Sequence, residues 1–146
     1  MVKNFFKLVT AVHLLLIKDN KILLLRRFNT GYEDGNYSVI AGHVDGDKTV
    51  TSEMIREAKE EANIDIYPKD LKIVHVMHRK SKEERIDFFF TADKWRGEIK
   101  IMEPHKCDDL RWFNMDNLPP NIVPYVKTAI DNFRNNIFFS EFGWNS

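Results

Sequence analysis

A chain of 146 residues is long enough to bury a sizeable core and reads most simply as one domain, 1–146. Hydrophobic residues make up 43% and charged residues 30%, the balance of a soluble globular protein, with Lys+Arg and Asp+Glu both at 22. A formal net charge of zero argues against an extended nucleic-acid surface or broad attachment to an anionic membrane, and the single cysteine, Cys107, excludes an internal disulfide.

The first apolar run, LVTAVHLLLI (8–17), follows Lys3 and Lys7 as a signal peptide would. It contains His13, however, lacks a small-residue cleavage site, and leads through KDN into a second run, KILLLRR (21–27). Two such runs around a short polar turn predict a β-hairpin. No stretch approaches the roughly 18–20 apolar residues of a membrane span, so a cytoplasmic location is expected. Strand alternation sends one of Arg26 and Arg27 inward, where it would pair with a phosphate; the plainer reading is an edge-strand charge. In the loop FNTGYEDGNY (28–37), Tyr32 either covers a base by stacking or belongs to an ordinary turn.

YSVIA (37–41) is the next strand, running into a loop with Gly42 and Gly46, where missing side chains permit tight turns and close approach to a ligand. Residues 49–62 have helical period, with Thr49 as N-cap and Asn63 suited to the left-handed residue that ends a helix. Met54, Ile55, Ala58 and Ala62 gather on one arc, and Glu53, Glu57, Glu60 and Glu61 on a neighbouring arc about 100° wide. Like charges at these spacings weaken an isolated helix. The acidic face is either solvated or held together by a cation. A strand, a glycine loop and an acid-faced helix in succession favour the cation, because carboxylate oxygens are the preferred ligands of Mg²⁺ and Mn²⁺, which also hold phosphates.

LKIVHVMHR (71–79) and RIDFFFTAD (85–93) form a second predicted hairpin around KSKEE, and LRWF (110–113) is a further strand. After Pro119, Pro120 and Pro124, the spacing of Val126, Ala129, Ile130, Phe133 and Ile137 predicts a helix over 124–138 packed on a core. His13, His75 and His78 read as satisfied strand histidines, Phe88 to Phe90 as core, Cys107 as a half-buried structural thiol and Trp112 as packed beneath the sheet. The terminal IFFSEFGWNS either caps the fold or forms a contact in a homodimer. Several strands with few helices give an α/β fold in which helices cover a central sheet.

Gly42, Arg56-Glu57, Ala58, Glu60-Glu61 and Ile64 stand in the register of a known signature, and the chain resembles the Nudix hydrolase (MutT-like) family over a box at 42–64. The resemblance implies an α/β/α sandwich with a mixed central β-sheet and metal-dependent hydrolysis of a nucleoside polyphosphate or nucleoside diphosphate derivative, a small-molecule nucleotide. It implies that Glu57, Glu60 and Glu61 hold Mg²⁺ or Mn²⁺ with the backbone carbonyl of Ala41. Glu57 or Glu60 would be the base, with Arg56 orienting Glu57 or a neighbouring loop. A further carboxylate from a distant loop is expected at Glu103, with Glu98 the weaker competitor, and Lys106 is a candidate for phosphate. Conversion of a (d)NTP to the monophosphate and pyrophosphate is the first expectation for so short a chain, with ADP-ribose, dinucleoside polyphosphates and nucleotide sugars open.

Two positions depart from the signature. Asn63 replaces its last glycine, a mild change because Asn tolerates the same backbone conformation. Lys48 replaces its first glutamate, which in the family helps orient or support the metal-binding carboxylates. A charge reversal there would cost about 1–2 kcal/mol of metal affinity, roughly tenfold. Alternatively, Lys48 touches a substrate phosphate, or Asp45 or Asp47 compensates. A catalytically impaired nucleotide-binding module is the rival reading, and an interaction protein with a merely acidic helix is the second.

Overall fold

The computed structural model describes residues 3–145. Nine strands, two α-helices and a short 3₁₀ turn are seen among them. The strands are β1 (Val9–Leu14), β2 (Ile17–Lys18), β3 (Lys21–Arg27), β4 (Tyr37–Ser38), β5 (Ile40–His43), β6 (Leu71–Lys80), β7 (Glu84–Ala92), β8 (Cys107–Asn114) and β9 (Phe139–Phe142). The helices are α1 (Val50–Ala62) and α2 (Pro124–Arg134). A five-stranded mixed sheet runs β5-β1-β7-β6-β9, with β1 parallel to β7 and β6 parallel to β9. In a second, antiparallel sheet, β3 pairs with β2, β4 and β8. The fold class is α/β with a mixed sheet, as expected, although the strands divide between two sheets.

The first predicted hairpin is corrected by this division. Asp19 and Asn20, both at positive φ, make a tight turn, but it joins only β2 to the start of β3. Both edges of β1 are occupied, by β5 and β7. The chain therefore crosses between sheets at Leu15 and Leu16, where the Leu15 amide donates to the Phe90 carbonyl and the Leu23 amide to the Leu16 carbonyl. The second hairpin forms as expected, with Lys80 opposite Glu84.

Strand alternation distributes the apolar runs between two cores. Val12, Leu14 and Phe90 meet Met54, Ala58 and Ala62 of α1, whereas Leu15, Met77 and Phe89 meet Val126, Ala129 and Ile130 of α2. The helices thus cover different cores. α2 is shorter than its periodicity suggests: it stops at Arg134, Asn136 takes a left-handed conformation, and Ile137 lies beyond the end, 45% exposed. The terminal aromatics contribute β9, a strand absent from the sequence reading. It covers one edge of the sheet, and Trp144 donates from Nε1 to the His78 carbonyl at 3.0 Å. Among the described residues, no helix is long and apolar enough to cross a membrane.

α1 begins and ends where its caps dictate. Thr49 Oγ1 accepts from the Ser52 amide at 3.0 Å, and Asn63 closes the helix at φ 64° with its side chain donating to the Glu98 carbonyl at 3.0 Å. Asn63→Ala is expected to destabilise the fold by about 1–2 kcal/mol, through left-handed strain and the lost hydrogen bond. Asn63→Gly loses only the hydrogen bond, so its urea midpoint should lie nearer the wild type.

Candidate active site

A cleft of ≈ 840 Å³ opens where β1, β5, α1 and the β6–β7 turn meet the loops around residues 28–36 and 103–107. Glu57, Glu60, Glu61 and Glu103 line it, together with Ala41, Arg27, Tyr32 and Lys106. Two expected substrate residues lie elsewhere. Arg26, on the other side of β3, donates from Nε to Asp108 at 2.7 Å, and Lys48 is an exposed residue just before α1; neither borders the cleft. Glu98 does not border it either. A second cavity of ≈ 490 Å³, lined by Tyr67, Trp95 and Arg96 among others, carries none of these glutamates.

Gly42 explains how β5 and α1 lock together. A Cβ built on it would lie 2.7 Å from Glu57 Oε1, inside contact distance, so the Glu57 side chain occupies the space that any other residue would fill. The close approach at this glycine, expected to be toward a ligand, is made to Glu57 of the helix. A Cβ on Gly46 would meet only open space, and the left-handed conformation in its loop falls on Asp47.

Arg56 organises the acidic face. Its guanidinium donates to Glu57 at 2.8 Å and to both oxygens of Glu60 at 2.8 and 2.7 Å, and it also pairs with the buried Glu53. Glu61 turns the other way and accepts from the Ala41 amide at 3.4 Å. Burial, then the neighbouring Glu57 carboxyl and the Glu103 charge, raise the Glu61 pKa well above the usual carboxylate range. Among the described residues, no three His, Cys, Asp or Glu side chains converge into a ready metal cage. The expected ligands share the cleft without converging on one point: Arg56 holds Glu57 and Glu60, and Glu61 turns to the Ala41 amide. The donor set is nonetheless all oxygen, as hard divalent ions require, and a cation would relieve the charge crowding that raises Glu61.

On the opposite wall the loop 28–36 is rigidly built. Asp34 accepts from the Thr30 and Gly31 amides, both at 2.9 Å, and Arg27 donates to the Tyr32 carbonyl at 2.6 Å and to Thr30 Oγ1 at 3.0 Å. The Arg27 guanidinium lies 5.3 Å from the Tyr32 ring centroid, so one cation and one aromatic face are presented together.

The cleft also contains residues that sequence reasoning missed: His43, Arg79, Lys82, Arg85, His105 and Tyr125. Alternation along the β6–β7 hairpin could have placed Arg79 and Arg85 beside His13, had the pairing of β1 with β7 been known. Arg79 donates to Asp87 at 2.7 and 3.3 Å and stacks 3.6 Å from the Tyr125 ring centroid. His13 Nε2 and the Tyr125 hydroxyl share a 3.0 Å hydrogen bond. Burial is the main cause that lowers the His13 pKa from 6.5 to about 4, against the pull of Asp87. Cys107 is buried, deeper than the half-buried thiol expected, and burial raises its thiol pKa, the reverse of what a nucleophile needs.

A model of the NUDIX domain matches residues 7–133, and the chain belongs to the Nudix family. It is 31% identical over 127 residues to an ADP-ribose pyrophosphatase of Methanocaldococcus jannaschii, covering 85% of this chain and 72% of that one. It is 29% identical over 118 residues to a NAD-capped RNA hydrolase, NudC, of Stutzerimonas stutzeri; this alignment covers 81% of the chain but only 41% of that longer relative. A MutT NUDIX hydrolase from Burkholderia pseudomallei superposes with a TM-score of 0.79 at 23% identity, over 86% of this chain and 98% of that one. A bifunctional NMN adenylyltransferase/ADP ribose pyrophosphatase from Francisella tularensis, solved with AMP and a Mn ion, gives 0.71 at 19% identity, over 92% and 43%.

Two predictions concern the site's stability. Gly42→Ala should cost about 1–3 kcal/mol by overpacking against Glu57, read as a lower urea midpoint. The depressed His13 pKa contributes stability that is complete above pH 6.5. It is lost as pH falls through about 4, because the unfolded chain takes up the proton first. Across that window the loss is on the order of 3 kcal/mol. Urea midpoints between pH 7 and 4 should fall less steeply in His13→Gln than in the wild type; parallel curves would assign the effect to other groups.

Proposed function

We propose that this chain is a divalent-metal-dependent pyrophosphohydrolase that cleaves a nucleoside diphosphate derivative by attack of water at phosphorus. The observation that carries the reading is the composition of one cleft: Glu57, Glu60, Glu61 and Glu103 line it together with Arg27 and Lys106. Carboxylates alone would repel a diphosphate, and cations alone would bind it without activating water. Their combination suits a phosphate bound through metal.

In this reading Glu57, Glu60 and Glu61 hold Mg²⁺ or Mn²⁺, with Glu103 and the Ala41 carbonyl completing the oxygen set; to take part, Glu60 leaves Arg56. The ion, when bound, neutralises phosphate charge and lowers the pKa of coordinated water. Glu57 or Glu60 accepts the proton of the attacking water. Arg56 orients Glu57, Arg27 and Lys106 meet phosphate oxygens, and the Tyr32 ring is available for base stacking. Lys48 and Arg26 lie outside the cleft lining, so this reading assigns them no role in holding substrate.

The relatives' names favour a diphosphate joining two groups, as in ADP-ribose or a dinucleotide, over the (d)NTP that a short chain suggests. The single, buried cysteine is consistent with the cytoplasm as the compartment. We take the chain as one domain, 1–146, and β9 as an edge cap, leaving a homodimer to be tested by its solution mass.

The test is hydrolysis of ADP-ribose, NAD, dinucleoside polyphosphates and (d)NTPs with Mg²⁺ or Mn²⁺. Metal-dependent turnover of at least one is expected, falling at least 100-fold in Glu61→Gln. Ligand binding without turnover on any member of the panel would instead support the impaired binding module.

A further inference from the structure

Glu53 is a carboxylate with only 2% exposure, too deep to meet substrate, and its charged partner is Arg56. That arginine also holds Glu57 and Glu60. Lys48, by contrast, is exposed and forms no ion pair among the described residues. We propose that Glu53 is the positioning residue of the carboxylate cluster, supplying from inside α1 the acidic support that position 48 does not. This inference rests on the metal-dependent reading above.

Two physical effects give Glu53 this role. A buried, charge-assisted contact fixes the Arg56 guanidinium, and a fixed guanidinium fixes the Glu57 carboxylate that lies against Gly42. Glu53 also balances the arginine's charge. With that pair neutral, the charges of Glu57 and Glu60 remain available to a cation; without Glu53, the whole charge of Arg56 falls on them and competes with metal. The spacing assists, since Glu53 lies three residues before Arg56 on the same helical face.

The test reads Mn²⁺ binding to the whole protein by titration calorimetry, with no nucleotide present, in wild type, Glu53→Gln, Glu53→Asp, Lys48→Ala and Lys48→Glu. Circular dichroism confirms folding of each variant. Glu53→Gln should weaken Mn²⁺ binding at least tenfold, and Glu53→Asp should recover part of that loss, which a purely structural role would not produce. Both Lys48 variants should stay within about twofold of wild type. Should Glu53→Gln fail to fold, Glu53→Asp and the Lys48 pair still decide: tenfold tighter binding in Lys48→Glu, with unchanged binding in Glu53→Asp, would overturn the proposal. Unchanged binding in a folded Glu53→Gln would overturn it directly. Wild-type protein that binds Mn²⁺ but hydrolyses nothing would sink the proposed hydrolysis and leave the role of Glu53 standing.

Discussion

The site depends on keeping several like charges together on one face of one helix. Glu53, Glu57 and Glu60 all bear on a single guanidinium, while Glu61 is half-buried beside the β5 backbone. Such a face would weaken an isolated helix. It persists because α1 is anchored by other means: a capped start, a left-handed stop, and Met54, Ala58 and Ala62 packed against Val12, Leu14 and Phe90. Apolar burial and capping hold the helix in place, and Arg56 compensates the acids that packing brings together.

The contact between Gly42 and Glu57 passes this constraint to the sheet. Because the glutamate fills the volume above a bare backbone, the distance between β5 and α1 near the cleft is set by one side chain. The hydrogen bond from the Ala41 amide to Glu61 ties the preceding residue of the same strand to the same helix. The acidic end of the cleft is thus fixed to rigid elements, as a site that must hold charges in register requires.

The other end is built differently. Arg79 and Asp87 form a buried ion pair beneath Tyr125 and next to His13, joining β6, β7, β1 and α2 through polar groups. Buried pairs of this kind contribute little net stability, because desolvation offsets their attraction, but breaking one is costly. The loop bearing Tyr32 is held by its own hydrogen bonds to Asp34 and by Arg27 at the end of β3, which donates to the Tyr32 carbonyl, so the aromatic face and the cation are displayed together by a preformed turn.

Much of this was legible in the chain itself. The helix α1, its caps at Thr49 and Asn63, its acidic and apolar faces, the hairpin around residues 80–84 and the alternation of Phe88, Phe89 and Phe90 all follow from short windows. Local periodicity and backbone preference are carried by neighbouring residues. Periodicity placed the acids on one face and the resemblance over the box at 42–64 singled out Glu57, Glu60 and Glu61, while Arg27 was one of two arginines that alternation left as candidates. Only the tertiary structure decided that β1 pairs with β5 and β7 and not with β3, since pairing depends on which strand edges are free. It decided that the helical period after Pro124 ends at Arg134, where left-handed Asn136 interrupts it. It also brought Glu103, Arg79, Arg85 and His43 to one cleft and left Arg26 and Lys48 outside it, because residues far apart in the chain meet only through strand order and loop path.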